Sequence, residues 1–132
     1  MDTNVLYAGL YSSQGASFRM LRAIDAGSVR IVLSTALLFE YEDVLRRSQP
    51  ELGLSDQDIE ELLDALCRVS DHQKVYFLWR PCLPDVKDDH VLELAVAAGV
   101  DGIVTHNIRH FKGAAQFGIK VCTPKEMLET IA

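Results

Sequence analysis

The sequence predicts an α/β domain with a mostly parallel sheet. Short apolar runs alternate with longer segments of helical periodicity along the 132 residues, and alternating strands and helices favour parallel pairing through crossover connections. The length suits one domain with one hydrophobic core. Because no repeat, linker or low-complexity tract interrupts the pattern, we expect a single domain over residues 1–132.

The first third of the chain predicts two helices around a buried strand. Residues 16–26 place apolar side chains on one side of a helix that Gly27 would end. Residues 29–33 (VRIVL) are typical of a buried strand. Residues 35–47 follow as a helix, with Ser34 as its N-cap.

The middle of the chain contains the clearest helical pattern, over residues 56–69. Ser55 is its predicted cap, and apolar residues recur there at helical spacing. Residues 74–79 (KVYFLW) predict a strand, after which Pro81 and Pro84 indicate a loop.

The last third predicts two further strands and two further helices. Residues 88–98 form the first helix, which Gly99 would stop, and residues 102–105 form a short buried strand. A loop or helical turn then leads to a strand over 119–122. A capping box with proline at the first helical position opens the final helix, 124–131.

Composition limits the class of protein. No apolar stretch approaches the roughly 20 residues that a membrane helix needs, and the first residues lack the features of a signal peptide. We therefore expect a cytoplasmic protein with no membrane partner, and its widely spaced cysteines to be reduced. The net charge of −6 argues against a binder that relies on a basic face. It is compatible with clustered carboxylates that hold a cation.

Several acidic and amide side chains occur where α/β sheets form their sites. Asp2, Asp88, Asp89 and Asn107 lie at predicted strand ends or helix starts, and ligands bind beyond the carboxyl ends of parallel strands. Glu40 differs because it lies within a predicted helix, beside the apolar stripe. A carboxylate there is costly unless it is paired or binds a metal.

Each of these acids also has a purely structural interpretation. Glu40 can reach solvent or pair with Arg46 or Arg47, and acids such as Asp88 and Asp89 favour a helix N-terminus for capping and dipole reasons. Together, however, two to four carboxylates can hold Mg²⁺ against a phosphate. The chain contains neither a Gly-x-Ser-x-Gly elbow nor a Walker A loop, so no side-chain nucleophile is indicated.

Four segments together resemble the signature of PIN domains. Residues 2–6 (DTNVL) are similar to the family's opening motif, and Leu33-Ser34 with residues 38–45 (LFEYEDVL) to the segment that carries its glutamate. Residues 85–93 (DVKDDHVLE) resemble the segment with the third acid, and residues 103–107 (IVTHN) the strand end that follows. The closest resemblance is to the VapC-like toxin component of type II toxin–antitoxin systems.

The resemblance implies an α/β/α sandwich with a mostly parallel central sheet. It also implies a site in which Asp2, Glu40 and Asp88 bind Mg²⁺ or Mn²⁺, with Asp89 as the alternative third acid. Asn107 would occupy the fourth catalytic position. The implied activity is metal-dependent endoribonuclease cleavage, silenced by an antitoxin protein, in a chain expected to be a homodimer.

Further residues receive roles from the same resemblance. Asn4 and Thr105 would support the site by hydrogen bonds, and Arg19, Arg22 and Arg109 would bind the RNA substrate.

The chain departs from the family pattern at two places. Only Met1 precedes Asp2, so we expect the first strand to be truncated and Asp2 to lie on a frayed end. The fourth position is Asn107 instead of aspartate, and His110 stands three residues further on. His106 and His110 either contact RNA phosphate or are surface histidines, and a zinc or manganese ion bound by histidine is a third alternative.

Two other functions stay open at this point. The truncated strand and Asn107 fit a catalytically silent PIN-like module that binds an antitoxin or another protein. An unrelated α/β enzyme, such as a phosphatase with Asp2 as nucleophile, is a further alternative. Such enzymes place a second aspartate two residues on, where this chain has Asn4.

Overall fold

The computed structural model describes residues 1–75 and 89–131, with only the backbone of Asp89. The helices in these ranges are α1 (Thr3–Tyr11), α2 (Ala16–Asp25), α3 (Thr35–Arg47), α4 (Gln49–Leu52), α5 (Asp56–Val69), α6 (Asp89–Ala98) and α7 (Pro124–Ile131). The strands are β1 (Val32–Leu33), β2 (Asp71–His72), β3 (Gly102–Val104) and β4 (Lys120–Cys122). A 3₁₀ segment, Ile108–Phe117, connects β3 to β4.

The described strands form two parallel pairs. In one, Val32 of β1 is opposite Asp71 of β2; in the other, Ile103 of β3 is opposite Val121 of β4. The chain start extends the second pair, because the amide of Asp2 donates to the carbonyl of Val104 at 2.8 Å. The parallel pairing agrees with the predicted α/β class. A single central sheet within a sandwich is not shown by these two pairs and stays a prediction.

Two predicted strands differ from the observed ones. The strand expected over 29–33 is confined to its last two residues, although Val29 and Ile31 are buried. The strand expected from residue 74 is wrong at its start, since Lys74 and Val75 are not in a strand; residues 76–79 lie outside the described residues. The observed strand, β2, comes earlier and is exposed; its backbone pairs with β1, and the side chain of Asp71 also forms an ion pair with Arg30. Its polar side chains therefore give no strand pattern.

Helix α1 was not predicted from the sequence. Its residues are apolar around most of the circumference, so no polar face gives it a helical period. Val5 and Leu6 are fully buried, and the helix packs against both α2 and α3. Such a segment becomes recognisable as a helix only when its neighbours are known.

The remaining helical predictions are confirmed to within a residue or two. Ser34 caps α3 by accepting a hydrogen bond from the amide of Leu37 at 3.1 Å. Ser55 and Asp58 form a capping box at the start of α5. Gly99 ends α6 in the left-handed region, with φ of 64°. Asp88, the predicted first residue of that helix, lies outside the described residues.

The core forms where α3 and α6 meet the strands. On α3, Leu37, Tyr41 and Leu45 are fully buried, and on α6 Leu92 is fully buried. Helix α6 packs against α3, β1 and β3. This packing brings the N-terminal part of α6 to the middle of α3, where Glu40 lies.

Replacing the cap of α3 is expected to weaken the fold by a small, measurable amount. Ser34→Ala removes the acceptor for the Leu37 amide, and loss of such a cap costs about 1 kcal/mol. Urea unfolding followed by circular dichroism measures the change. The control is Ser13→Ala at an exposed turn, which should stay within about 0.5 kcal/mol of the wild type. Equal stability of both variants would contradict the capping role.

In the part of the chain that the structure describes, no helix is both long and apolar enough to pass through a membrane.

Candidate metal centre

Asp2 is buried at the junction of the chain start, α1 and β3. One carboxylate oxygen accepts the amide of Thr3 at 2.8 Å, which makes Asp2 the N-cap of α1. The other oxygen accepts the hydroxyl of Thr105 at 2.6 Å. Because its own amide is bonded to Val104, the residue is held from three sides. The expectation that Asp2 lies on a frayed end is therefore wrong.

Thr105 is the centre of a small hydrogen-bond network at the end of β3. Its side chain is fully buried, and besides donating to Asp2 it accepts hydrogen bonds from the Asn4 side-chain amide at 3.3 Å and the Asn107 backbone amide at 3.0 Å. The side-chain oxygen of Asn4 accepts the backbone amide of His106 at 3.2 Å. The network fixes the position of the Asp2 carboxylate relative to the strand end.

Glu40 is half-buried and has partners on two elements. The hydroxyl of Thr3 donates to its Oε2, and Nε2 of His90 lies 3.4 Å from its Oε1. Pairing with Arg46 or Arg47, which belonged to the alternative structural interpretation of Glu40, is not observed. Among the described residues, Arg46 forms ion pairs with Glu42 and Asp56, and Arg47 forms an ion pair with Asp43.

The surroundings of Glu40 favour its charged form. Burial alone raises the pKa of its carboxyl, but hydrogen bonds from His90 and Thr3 and the charges of His90 and Arg47 lower it below its ordinary value. Tyr41, the next residue of α3, is fully buried. Burial first, and then the charges of Asp2 and Glu40, raise the pKa of Tyr41 well above its ordinary value. Its neutral hydroxyl donates to the carbonyl of Met1 at 2.5 Å.

Two of the predicted acids thus meet at one residue. Asp2 accepts the Thr3 amide and Glu40 accepts the Thr3 hydroxyl. The first residues of α6 reach the same place, because His90 contacts Glu40 and directly follows Asp89. The side chain of Asp89 and all of Asp88, the two candidates for the third acid, lie outside the described residues.

Asp2, Glu40 and His90 carry the kinds of ligand atom that divalent cations bind, but the described residues do not form a complete site. Carboxylate oxygens are the ligands that Mg²⁺ prefers, and imidazole nitrogen is a ligand for transition ions. Among the described side chains, no three His, Cys, Asp or Glu residues form a ligand cluster. Asp2 and Glu40 would hold the cation from α1 and α3, and the start of α6 would complete it.

The other predicted site residues are peripheral. Asn107 is exposed, and its backbone amide donates a hydrogen bond to the side-chain oxygen of Thr105. Arg19, Arg22 and Arg109 are exposed as well. The Ser17 hydroxyl, on the helix that carries Arg19 and Arg22, lies 2.6 Å from Nε2 of His106. This contact joins α2 to the loop that carries Asn107, while His110 is exposed on the 3₁₀ segment.

Sequence reasoning missed Thr3 and His90, which contact the acids, and Tyr41, whose hydroxyl donates to the carbonyl of Met1 next to Asp2. Thr3 belongs to the DTN motif and His90 follows Asp89 directly, so adjacency to the motifs was the available signal. His90 also lines a pocket beside Glu40 between α3, α6 and the segment after β2. Its lining residues are Ser34, Thr35, Ala36, Gln73, Lys74, Val75, His90 and Glu93.

An α/β fold with carboxylates gathered at the end of a parallel strand is typical of enzymes that use a divalent cation in phosphate chemistry. The family model described as PIN domain matches residues 1–109, and the chain belongs to the PIN-domain family. PIN domains are generally nucleases that use divalent metal ions, which supports a nuclease function here. Neither the curated proteins nor the solved structures contain a match to the chain.

Proposed function

We propose that this chain is a Mg²⁺- or Mn²⁺-dependent endoribonuclease. Its metal-binding acids are Asp2, Glu40 and Asp88, with Asp89 as the alternative third acid, and Asn107 occupies the fourth catalytic position. The observation that carries the proposal is the shared contact of Asp2 and Glu40 with Thr3. This contact supports the proposal, because two acids far apart in the sequence lie beside the same residue.

Some residues of the chain would bind the cation, and others would orient its ligands. A bound divalent cation activates water and offsets negative charge on the attacked phosphate. Asp2 and Glu40 bind it, and Thr105 and Asn4 hold Asp2 in one orientation. The lowered pKa of Glu40 keeps that carboxylate charged and ready to bind a cation near neutral pH.

Substrate binding is proposed for the exposed arginines. Arg19 and Arg22 lie on α2, which the Ser17–His106 contact holds against the loop carrying Asn107. Arg109 follows two residues after Asn107 on the 3₁₀ segment. These cationic side chains would bind RNA phosphates and release counterions, so binding should weaken with salt.

We further propose that the chain is the toxin of a toxin–antitoxin pair, acts as a homodimer and is one PIN domain over residues 1–132. The resemblance to VapC-like toxins supports the first point. Residues beyond the family match support the last, because α7 packs against α2 and β4 pairs with β3. The exposed Phe39 on α3 and Tyr11 on α1 are apolar surface available to an antitoxin or a second copy.

The test is cleavage of a mixed single-stranded RNA pool by the full chain with Mg²⁺, with Mn²⁺ or with excess chelator. We expect cleavage with either ion and none with chelator. Cleavage that persists in chelator would contradict the metal dependence. For the toxin role, expression should arrest growth, and co-expression of a protein encoded beside the gene should restore it.

A silent PIN-like module that binds an antitoxin or other protein is the second candidate. The observation that favours it is Asn107, an uncharged and exposed side chain where an acid is expected. This alternative predicts no metal-dependent cleavage, and partner binding that Glu40→Gln leaves unchanged.

A further inference from the structure

We propose that His90 supplies a nitrogen ligand to the cation held by Glu40, so that the site prefers Mn²⁺ to Mg²⁺. The inference rests on the proposed metal-dependent function and deepens it. It concerns a residue outside the acidic set, brought to the site by the first turn of α6.

The first argument is the spacing of the two groups. Nε2 of His90 lies 3.4 Å from Oε1 of Glu40. Ligands on adjacent corners of an octahedron with bonds of about 2.1 Å lie about 3.0 Å apart. The observed pair therefore needs an adjustment of only a few tenths of an ångström to hold one ion between both atoms.

The second argument is that Oε1 of Glu40 and Nε2 of His90 have no other hydrogen-bond partner among the described residues. Thr3 binds the opposite oxygen of Glu40, Oε2, and leaves Oε1 to face His90. On the imidazole, Nδ1 is buried and has no hydrogen-bond partner among the described residues. A cation between the two atoms would take the place of the proton that Nε2 shares with Glu40, and no other described hydrogen bond of the imidazole would have to break.

The third argument is access. The side chains of His90 and Glu40 are 20% and 31% exposed, so solvent reaches both members of the pair. A hydrated ion can therefore approach the two side chains from solvent. Because α6 packs against α3, the imidazole and Glu40 are held on two fixed elements.

The consequence is a change in metal preference. Mg²⁺ demands oxygen ligands and gives up water reluctantly, whereas imidazole suits first-row transition ions. The imidazole of a mixed carboxylate and imidazole site thus increases the affinity for Mn²⁺ more than the affinity for Mg²⁺. An all-oxygen site at the same acids would lack this gain.

Pulsed electron paramagnetic resonance on the full chain loaded with Mn²⁺ tests the proposal directly, since it detects coupling of the ion to a ligand ¹⁴N nucleus. Calorimetric titration supplies the Mn²⁺ and Mg²⁺ affinities. The variants are His90→Ala and His90→Asn, the latter offering an oxygen in place of the nitrogen. His72→Ala, at an exposed histidine of β2, is the matched control. Circular dichroism checks that each variant is folded.

We expect imidazole coupling in the wild type and in His72→Ala, and its loss in both His90 variants. The ratio of Mn²⁺ to Mg²⁺ affinity should fall about tenfold without His90, within the range reported for groups around metal sites. Mn²⁺ that binds through Glu40 without nitrogen coupling, or coupling that survives in folded His90→Asn, would overturn the proposal. Failure of the proposed function is distinguishable, because it appears as no Mn²⁺ binding or as binding that Glu40→Gln leaves unaltered.

Discussion

Glu40→Gln is expected to reduce metal-dependent RNA cleavage by about 100-fold to 1,000-fold, the range typical of removing one electrostatic group from a catalytic site. The substitution keeps the shape and one oxygen acceptor for the Thr3 hydroxyl, but removes the negative charge that binds the cation. Single-turnover cleavage with saturating Mn²⁺ measures the loss. Metal titration of the same variant reports whether cation affinity falls with it.

The matched control is Glu42→Gln on the same helix. Glu42 pairs with Arg46 at 3.0 Å and is partly exposed, and a surface pair of this kind contributes at most about 1 kcal/mol. Its cleavage rate should stay within about twofold of the wild type, because it does not contact the site. Equal rates for the wild type and folded Glu40→Gln would rule out Glu40 as a metal ligand.

Thr105→Val is expected to lower divalent-cation affinity by about 10-fold to 100-fold, since groups that orient metal ligands typically have effects of this size. The variant keeps the volume of a fully buried side chain but removes the hydroxyl that donates to Asp2 and accepts from Asn4 and Asn107. Leaving such groups unpaired should also destabilise the fold by about 1–3 kcal/mol.

Calorimetric metal titration and urea unfolding measure these two effects separately. Thr105→Ser retains the hydroxyl, so it should restore most of the metal affinity even where the lost methyl group still weakens packing. A serine variant as defective in cation binding as the valine variant would show that packing, and not the hydrogen bond to Asp2, is what matters.

The sequence predicted the elements whose signals are local. Helices α3, α5 and α7 have polar caps and a regular apolar period, and both features act within a few residues of the chain. Helix α1 and strand β2 could not be predicted in this way. The first is apolar around most of its circumference, and the second is an exposed pair of polar residues defined only by its hydrogen bonds to β1.

The candidate site divides along the same line. The sequence motifs identified Asp2 and Glu40 as candidates. A carboxylate at a predicted strand end, such as Asp2, or beside an apolar helical stripe, such as Glu40, is unusual enough to be noticed. What they contact was decided by packing. Hydrogen bonds between residues distant in the chain produce no periodic pattern in the sequence. That Thr3 is the shared partner of both acids is therefore evident only in the tertiary structure.

By itself, then, the sequence determined the α/β class, most helices and the candidates for the metal-binding acids, since capping, periodicity and motif order are properties of neighbouring residues. Only the tertiary structure decided that Asp2 is buried and held by Thr105, and that Glu40 faces His90 instead of an arginine. Those outcomes depend on how α1, α3, α6 and β3 pack, and packing sums contacts from across the whole chain.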